Sequence, residues 1–261
     1  MDEGTPAFEL FEPFVASHWA RVEFEKSQGR NPAPQVEEAL KALQALAQRY
    51  PRVADFPGYL GGLQAELVDY QATHGLDPAV AAQRALRHLE RASTLAPARF
   101  EFHFSRGNVY LAWSQFHLLG DQDANPSLAD AEAAYRTALA RNTSTEGAML
   151  GLGEVGLLRC QALERQERPY LKVLAKAEED VAPLQNQKEN WRVALFNAEA
   201  ARLRALVTPS TPQTWVTLTA AERAANRALA QGGSVPPSLL VLAQIHLAWA
   251  NLKPAVAGAR R

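Results

Sequence analysis

Apolar residues recur along the chain at the three- and four-residue spacing of amphipathic helices. One stripe predicts a first helix at about residues 6–28, and a second stripe predicts another helix at about 35–49. The first stripe consists of Phe8, Phe11, Val15, Trp19 and Val22. Gly29 and the proline-rich turn 31–34 separate the two helices. No segment rich in β-branched residues alternates at period two, so the pattern predicts an all-α protein.

The second predicted helix introduces a spacing that recurs through the chain. A small residue is followed four positions later by a larger one, then after three positions by another apolar residue, and after five more by proline. The matching sets are Ala39/Leu43/Leu46/Pro51, Ala85/Leu89/Ala92/Pro97, Ala131/Tyr135/Ala138 with Thr143 in place of proline, Ala177/Val181/Leu184, and Ala221/Ala225/Ala228. Successive sets are 46, 46, 46 and 44 residues apart, which indicates a repeated helix pair.

Glycine marks the first helix of the middle pairs. Gly61, Gly107 and Gly153 are 46 residues apart. Because glycine has no Cβ, we expect the second helix of each pair to approach closely at these positions.

A more distant similarity agrees with these intervals. Residues 109–116 resemble residues 245–252, and the offset of 136 residues equals the sum of three repeat intervals. The tryptophans of these segments, Trp113 and Trp249, are therefore expected in equivalent places between packed helices.

The intervals predict five helix pairs and a closing half unit. The predicted bounds are about 5–51, 52–97, 98–143, 144–188 and 189–233 for the pairs, and 236–252 for the half unit. Together they form one predicted domain, 1–253, and residues 254–261 are predicted to be a disordered tail.

The spacing of the second helices and the Gly-x2-Tyr of the first helix at Gly107 and Tyr110 resemble the tetratricopeptide repeat. The usual repeat has 34 residues, so each pair here would carry about 12 more. The resemblance implies a right-handed α-solenoid of antiparallel helix pairs. A Gly-x-Asp-Pro turn at 75–78 and an Arg-Gly-Asn-x-Tyr helix at 106–110 further resemble the C-terminal repeat regions of bacterial serine/threonine protein kinases.

The family resemblance also implies a set of partner-binding residues. In tetratricopeptide repeats, positions 2, 5, 9, 12 and 13 of the first helix commonly face a concave groove. Counted from Phe100 and carried one unit on, the implied residues are Glu101, Phe104, Asn108, Leu111 and Glu154. Asn108 has an alternative interpretation, because its amide could equally bond a neighbouring helix.

The family's carboxylate clamp for peptide C-termini is poorly matched. It needs basic residues where this chain has Gly58, Phe104, Gly147 and Gly151, and only Asn108 fits. A co-chaperone-like adaptor is therefore a weaker alternative.

Composition narrows the partners. The chain has 27 basic and 28 acidic residues, and no basic stripe stands out in the sequence, which disfavours nucleic acid. No apolar run reaches the roughly 20 residues of a membrane span. The N-terminus lacks the pattern of a signal peptide, and the lone cysteine, Cys160, reads as a small buried residue. These features predict a cytoplasmic protein.

One motif suggests nucleotide chemistry. Residues 151–156 fit G-x-G-x-x-G, but the glycine at 153 occupies the helix-contact position and no strand precedes it. No His-Arg-Asp or Asp-Phe-Gly follows, and the histidines lack metal-ligand spacing. The sequence thus predicts no catalytic residues, no metal and no cofactor.

The predicted function is a non-catalytic scaffold that binds a protein or peptide, and the kinase resemblance implies a serine/threonine kinase or its substrate as the partner. The alternative is a sensor whose groove closes on a peptide or a small ligand. The sequence leaves the oligomeric state open.

Overall fold

A computed structural model describes residues 11–187, 190–207, 212–230 and 239–249. These residues are helical with short turns and contain no β-strand, which confirms the predicted all-α class. The helices are α1 (Phe11–Ser27), α2 (Ala33–Arg49), α3 (Asp55–Thr73), α4 (Ala79–Leu95), α5 (Phe100–Leu119), α6 (Asn125–Arg141), α7 (Glu146–Arg165), α8 (Leu171–Val181), α9 (Trp191–Leu206), α10 (Pro212–Ala230) and α11 (239–249). The predicted tail at 254–261 and the end of the half unit lie outside the described residues.

Neighbouring helices pack in pairs. We call α1, α3, α5, α7, α9 and α11 first helices, and α2, α4, α6, α8 and α10 second helices. The chain divides into two compact units, Met1–Ala148 and Met149–Arg261, with the division inside α7. Each unit is described by itself below.

The described part of unit 1 contains apolar clusters that join neighbouring helices. One joins α1, α2 and α3 around Val22, Leu43 and Leu63, and another joins α3, α4 and α5 around Leu89 and Val109. All five side chains are fully buried. Each second helix buries one apolar stripe against the first helices beside it, as its spacing predicts.

The predicted close approach at the repeated glycines is confirmed. A Cβ on Gly61 would lie 2.5 Å from Leu89, and one on Gly107 would lie 2.5 Å from the ring of Tyr135. Both partners occupy the large position of the second-helix pattern. In unit 2, a Cβ on Gly153 would lie 2.3 Å from Val181, the equivalent residue of α8.

The first four pairs share one turn geometry. A left-handed residue follows the first helix at Gly29, Gly75, Asp121 and Glu167, which are 46 residues apart. The next amide then bonds a carbonyl five residues back, as in a Schellman motif. These bonds are Arg30 to Glu25 at 2.9 Å, Leu76 to Gln71 at 2.8 Å, Gln122 to His117 at 2.8 Å, and Arg168 to Leu163 at 2.9 Å.

The third turn has aspartate, not glycine, in the left-handed conformation. The neighbouring Gly120 has an ordinary φ of −89°, whereas Asp121 has a φ of 53°. Aspartate is among the few residues that visit this region without excessive strain.

The fourth pair is irregular. Its second helix, α8, has 11 residues, whereas α2, α4 and α6 have 17 each. Pro183 lies in a short 3₁₀ turn, Ala182–Leu184, that follows α8 directly. Proline has no amide hydrogen to donate to the helix ladder, so the α-helix ends before it.

Candidate interaction surface

The site residues implied by the sequence lie on first helices and are largely engaged within the chain. Asn108 Oδ1 accepts a hydrogen bond from the Tyr135 hydroxyl at 2.8 Å, so its amide bonds the second helix of its own pair. Leu111 is 7 % exposed. Phe104 lies against Gly147, where an added Cβ would be 2.8 Å from its ring.

The two predicted acidic residues form ion pairs. Glu101 accepts a hydrogen bond from Arg99 Nε at 3.2 Å, and Arg99 also bonds Asp55 at 2.9 Å. In unit 2, Arg192 Nη2 lies 3.0 and 3.1 Å from the two carboxylate oxygens of Glu154. Arg99 thus links Glu101 to Asp55 of α3, and the Arg192–Glu154 pair links α9 to α7.

The tryptophans of the similar segments 109–116 and 245–252 each pack within one unit. Trp113 is partly buried against the cluster of α3, α4 and α5. Trp249 is partly buried against the cluster of α9, α10 and α11, and its ring meets that of Trp215 edge-on at 5.4 Å.

Unit 2 contains a cleft of about 430 Å³. Every residue that lines it belongs to a first helix: α7, α9 or α11. The lining consists of Gln161, Glu164, Arg165, Arg202, Leu206, Gln244, Leu247 and Ala248. We call it the first-helix cleft.

A buried ion pair forms one side of this cleft. The side chains of Glu199 and Arg202 are only 6 % and 7 % exposed. Arg202 Nε donates to one oxygen of Glu199 at 2.8 Å, and Nη2 donates to the other at 2.7 Å. Burial alone would oppose the charge on Arg202, but the hydrogen bonds and charge of Glu199 outweigh it and raise the pKa of the guanidinium.

Two further polar residues extend the pair towards the cleft. Gln161 Nε2 donates to Glu199 at 2.9 Å, and Glu164 lies 3.5 Å from Arg202 Nη2. Glu164 is 35 % exposed, so its carboxylate faces the solvent of the cleft. The buried charges are thus compensated, and the polar groups at the mouth can still meet a ligand.

Two exposed leucines also line the cleft. Leu206 of α9 is 40 % exposed and Leu247 of α11 is 64 % exposed. Leu240 lies seven residues before Leu247, two helical turns back on the same side of α11, and is 57 % exposed. Exposed apolar side chains bordered by polar residues are typical of a surface that buries a partner's side chains.

A different ion cluster joins the first helices of unit 1. Lys26 Nζ lies 2.5 Å from Glu66, 3.0 Å from Asp69 and 3.4 Å from Glu23. Burial raises the pKa of Glu66 to about 7, although Lys26 opposes the shift. Burial also disfavours the Lys26 ammonium, but Asp69 and Glu66 outweigh it and its pKa is raised. Burial is thus the main cause of the raised pKa of Glu66, with a smaller contribution from Glu23, whereas the carboxylates around Lys26 keep its ammonium charged.

Neither cluster was predicted from the sequence. In unit 2, the pairs Glu154/Arg192, Gln161/Glu199 and Glu164/Arg202 are all 38 residues apart. This constant offset between polar residues of α7 and α9 could have revealed the contact. In unit 1, the signal would have been Lys26 within the apolar face of the first helix.

The glycine motif at 151–156 lies within α7, as predicted. Gly153 and Gly156 are contact points, since a Cβ on Gly156 would be 2.4 Å from Ala177. Cys160 is fully buried, and burial raises the pKa of its thiol to about 12. In the part of the chain that the structure describes, no cluster of three or more histidine, cysteine or acidic side chains could hold a metal ion. Among the same residues, no helix has the length and apolarity needed to span a membrane.

Comparison with known proteins gives no family. No protein-family model matches the chain, and no curated protein matches it.

Proposed function

We propose that the chain is a non-catalytic interaction module, a tetratricopeptide-like right-handed solenoid that binds a segment of another protein. The first-helix cleft of unit 2 carries the proposal. Three successive first helices line it, and the second helices of unit 2 contribute nothing to its lining. A continuous surface of this kind can accept an extended segment along the stack.

The chemistry of the cleft fits a protein segment. Leu206 and Leu247 offer apolar contact area, and Gln244 offers an amide that can bond a peptide backbone. Arg202 is already held by Glu199, so its guanidinium is fixed before a partner arrives. Fixed polar groups beside an apolar rim lower the entropic cost of binding.

Leu247 gives the direct test. A photo-cross-linking amino acid at Leu247 should capture a defined protein in the source cells, whereas the same amino acid at Val216 should not. Val216 is a matched control because it is 61 % exposed but lies on the second helix α10. The captured protein should then bind the purified chain and lose affinity with Leu247→Glu but not with Val216→Glu. Equal loss in the two variants would remove the cleft from the proposal.

We further propose that the partner is a serine/threonine kinase or its substrate, from the resemblance of the 75–78 turn and the 106–110 segment to kinase-associated repeats. A reducing compartment such as the cytoplasm fits the single unpaired cysteine. The chain should retain the kinase of the same source on an affinity column. Absence of retention would end the kinase link and leave the cleft proposal untouched.

A sensor of small ligands is the second candidate. The cleft volume of about 430 Å³ lies within the range of small-molecule sites. A thermal-shift screen of peptides and metabolites should then give at least one ligand that raises the melting temperature. A screen without stabilisation would exclude the tested classes.

A further inference from the structure

Helix α4 of unit 1 carries four basic residues on one side. They are Arg84, Arg87, His88 and Arg91. Residues three, four and seven positions apart share one face of a helix, and this set spans about 10 Å along the axis. The three arginines are exposed and the histidine is half-buried. We call these four residues the α4 basic stripe.

Among the described residues, the charge of the stripe is not neutralised by acidic side chains. In the ranges that the structure describes, no carboxylate oxygen lies within 4.0 Å of the guanidinium groups of Arg84, Arg87 or Arg91. Arg91 donates one hydrogen bond to the carbonyl of Pro51 at 3.2 Å. Burial, followed by the charges of Arg87 and Arg91, lowers the pKa of His88. Some other exposed arginines have a carboxylate partner, as Arg136 has in Glu132 at 2.7 Å.

The repeat provides an internal control for the role of the stripe in folding. The four positions 46 residues earlier, in α2, hold Glu38, Lys41, Ala42 and Ala45. The four positions 46 residues later, in α6, hold Asp130, Ala133, Ala134 and Thr137. The same helix pair therefore forms without a basic stripe. Like charges three and four residues apart also oppose helix formation.

We propose that the α4 basic stripe is a docking surface, separate from the first-helix cleft, for an acidic segment of a partner protein. Each guanidinium group can bind a carboxylate in bidentate geometry. Two neighbouring arginines without carboxylate partners can therefore bind two carboxylates of a partner. Val80 and Leu95 lie on the same face at its two ends and are 63 % and 37 % exposed. They fit aliphatic side chains on either side of the acidic run.

A peptide fits the stripe better than a nucleic acid or a membrane surface. A stripe of about 10 Å neutralises two or three charges, whereas nucleic-acid binding generally uses more phosphate contacts. The chain as a whole has a net charge of −1, so it exerts no general attraction on a polyanion.

A matched pair of double variants tests the proposal. The probe is a fluorescein-labelled decapeptide of six glutamates flanked by two leucines on each side, followed by fluorescence anisotropy at low salt. We expect the unaltered chain to bind it, and Arg84→Glu with Arg87→Glu to weaken binding roughly tenfold or more. The control, Arg223→Glu with Arg227→Glu, makes the same change of net charge on the second helix α10 and should alter binding by less than about twofold.

Each remaining result decides for or against the stripe. Affinity should fall as salt rises, and a peptide with glutamine in place of glutamate should not bind. Melting temperatures of the Arg84/Arg87 variant should equal or exceed that of the unaltered chain, because like-charge contacts on α4 are removed. If that variant does not fold, Arg84→Gln with Arg87→Gln takes its place.

Four outcomes would overturn the proposal. They are no binding of the acidic decapeptide, equal binding of the glutamine peptide, equal weakening by the α10 control, and stripe-dependent binding of a 12-nucleotide single strand or phosphatidylserine vesicles that exceeds peptide binding. A failure of the Leu247 experiment would leave these outcomes unchanged, since the stripe and the cleft share no residue.

Discussion

The interior of the helix pairs is apolar, whereas successive first helices also meet through partly or fully buried charged side chains. Inside the pairs the same apolar contact occurs three times, with glycine against Leu89, Tyr135 and Val181 in turn. Each contact joins residues 28 positions apart. The repeat interval therefore fixes both the contact and its place.

Between first helices, apolar contacts such as that of Trp19 with Gly62 are accompanied by polar contacts that differ from one place to the next. In unit 1, Lys26 shares its ammonium with Glu66 and Asp69. In unit 2, Arg202 forms a bidentate pair with Glu199. The ion pair of unit 2 borders the first-helix cleft, the surface that we assign to partner binding.

The largest expected effect follows from breaking the ion pair of unit 2. Arg202→Ala leaves Glu199 buried with Gln161 as its remaining partner. An uncompensated buried charge costs about 3–5 kcal/mol, so the free energy of unfolding in urea should fall by that amount.

An apolar replacement of both partners separates the cost of an orphaned charge from the worth of the pair. Arg202→Met combined with Glu199→Leu should recover most of the lost stability, because neither side chain then needs a counter-charge. A loss below about 1 kcal/mol in Arg202→Ala would show that water reaches Glu199 readily.

A smaller effect is expected from the pair interior. Gly107→Ala places a methyl group 2.5 Å from the fully buried ring of Tyr135. Overpacking should reduce the free energy of unfolding by about 1–3 kcal/mol, although alanine is the better helix former by about 1 kcal/mol. Thermal and urea unfolding both measure it.

The Tyr135→Ala background provides the control for that clash. With the ring removed, Gly107→Ala should become neutral or stabilising, because only the gain in helix propensity remains. The same loss in both backgrounds would mean that the ring does not restrict the site.

The features that the sequence predicted correctly are those that the repeat imposes. Gly61, Gly107 and Gly153 are each recognisable because a second pattern, the large residue of the next helix, has the same period. Two periodic signals that agree leave little freedom in assigning the helix pairs.

The features that the sequence did not reveal depend on one local choice each. Pro183 ends α8 early, and the repeat pattern does not predict a proline at this position. Asp121 adopts the left-handed conformation, and the adjacent Gly120 does not. The sequence does not distinguish these two neighbouring positions. Arg202 and Glu199 lie three residues apart on α9. The hydrogen bond from Gln161 to Glu199 could be predicted only if the side of α9 that faces α7 were known.

The Lys26 cluster of unit 1 should make stability depend on pH. Burial raises the pKa of Glu66 to about 7 from an ordinary value near 4.5, so the folded chain holds a proton that the unfolded chain releases between these values. The contribution to the free energy of unfolding is complete below pH 4.5 and is lost as pH rises to about 7. We expect a decline of about 1–2 kcal/mol across this window, relative to Glu66→Gln.

Urea titrations of both proteins at pH 5 and pH 7.5 measure that decline, since groups other than Glu66 cancel in the difference. If the difference in unfolding free energy between the two proteins stays constant or grows with pH, the pKa of Glu66 is not raised in the folded chain.

The smallest effect concerns the turns, where two pairs of the same fold carry different residues at one position. Gly75 has a φ of 69° and nothing lies within 4 Å of an added Cβ, so Gly75→Ala should cost about 1 kcal/mol through backbone strain alone. Glu167 adopts the same conformation at 54°, and Glu167→Gly should stabilise the chain by a similar amount. If the two variants change the free energy of unfolding in urea with opposite signs, the repeat imposes the left-handed turn whichever residue occupies it. The same sign in both variants would mean that the side chain of Glu167 makes a compensating contact, and the fourth turn would then belong with the chain-specific polar contacts and not with the repeat.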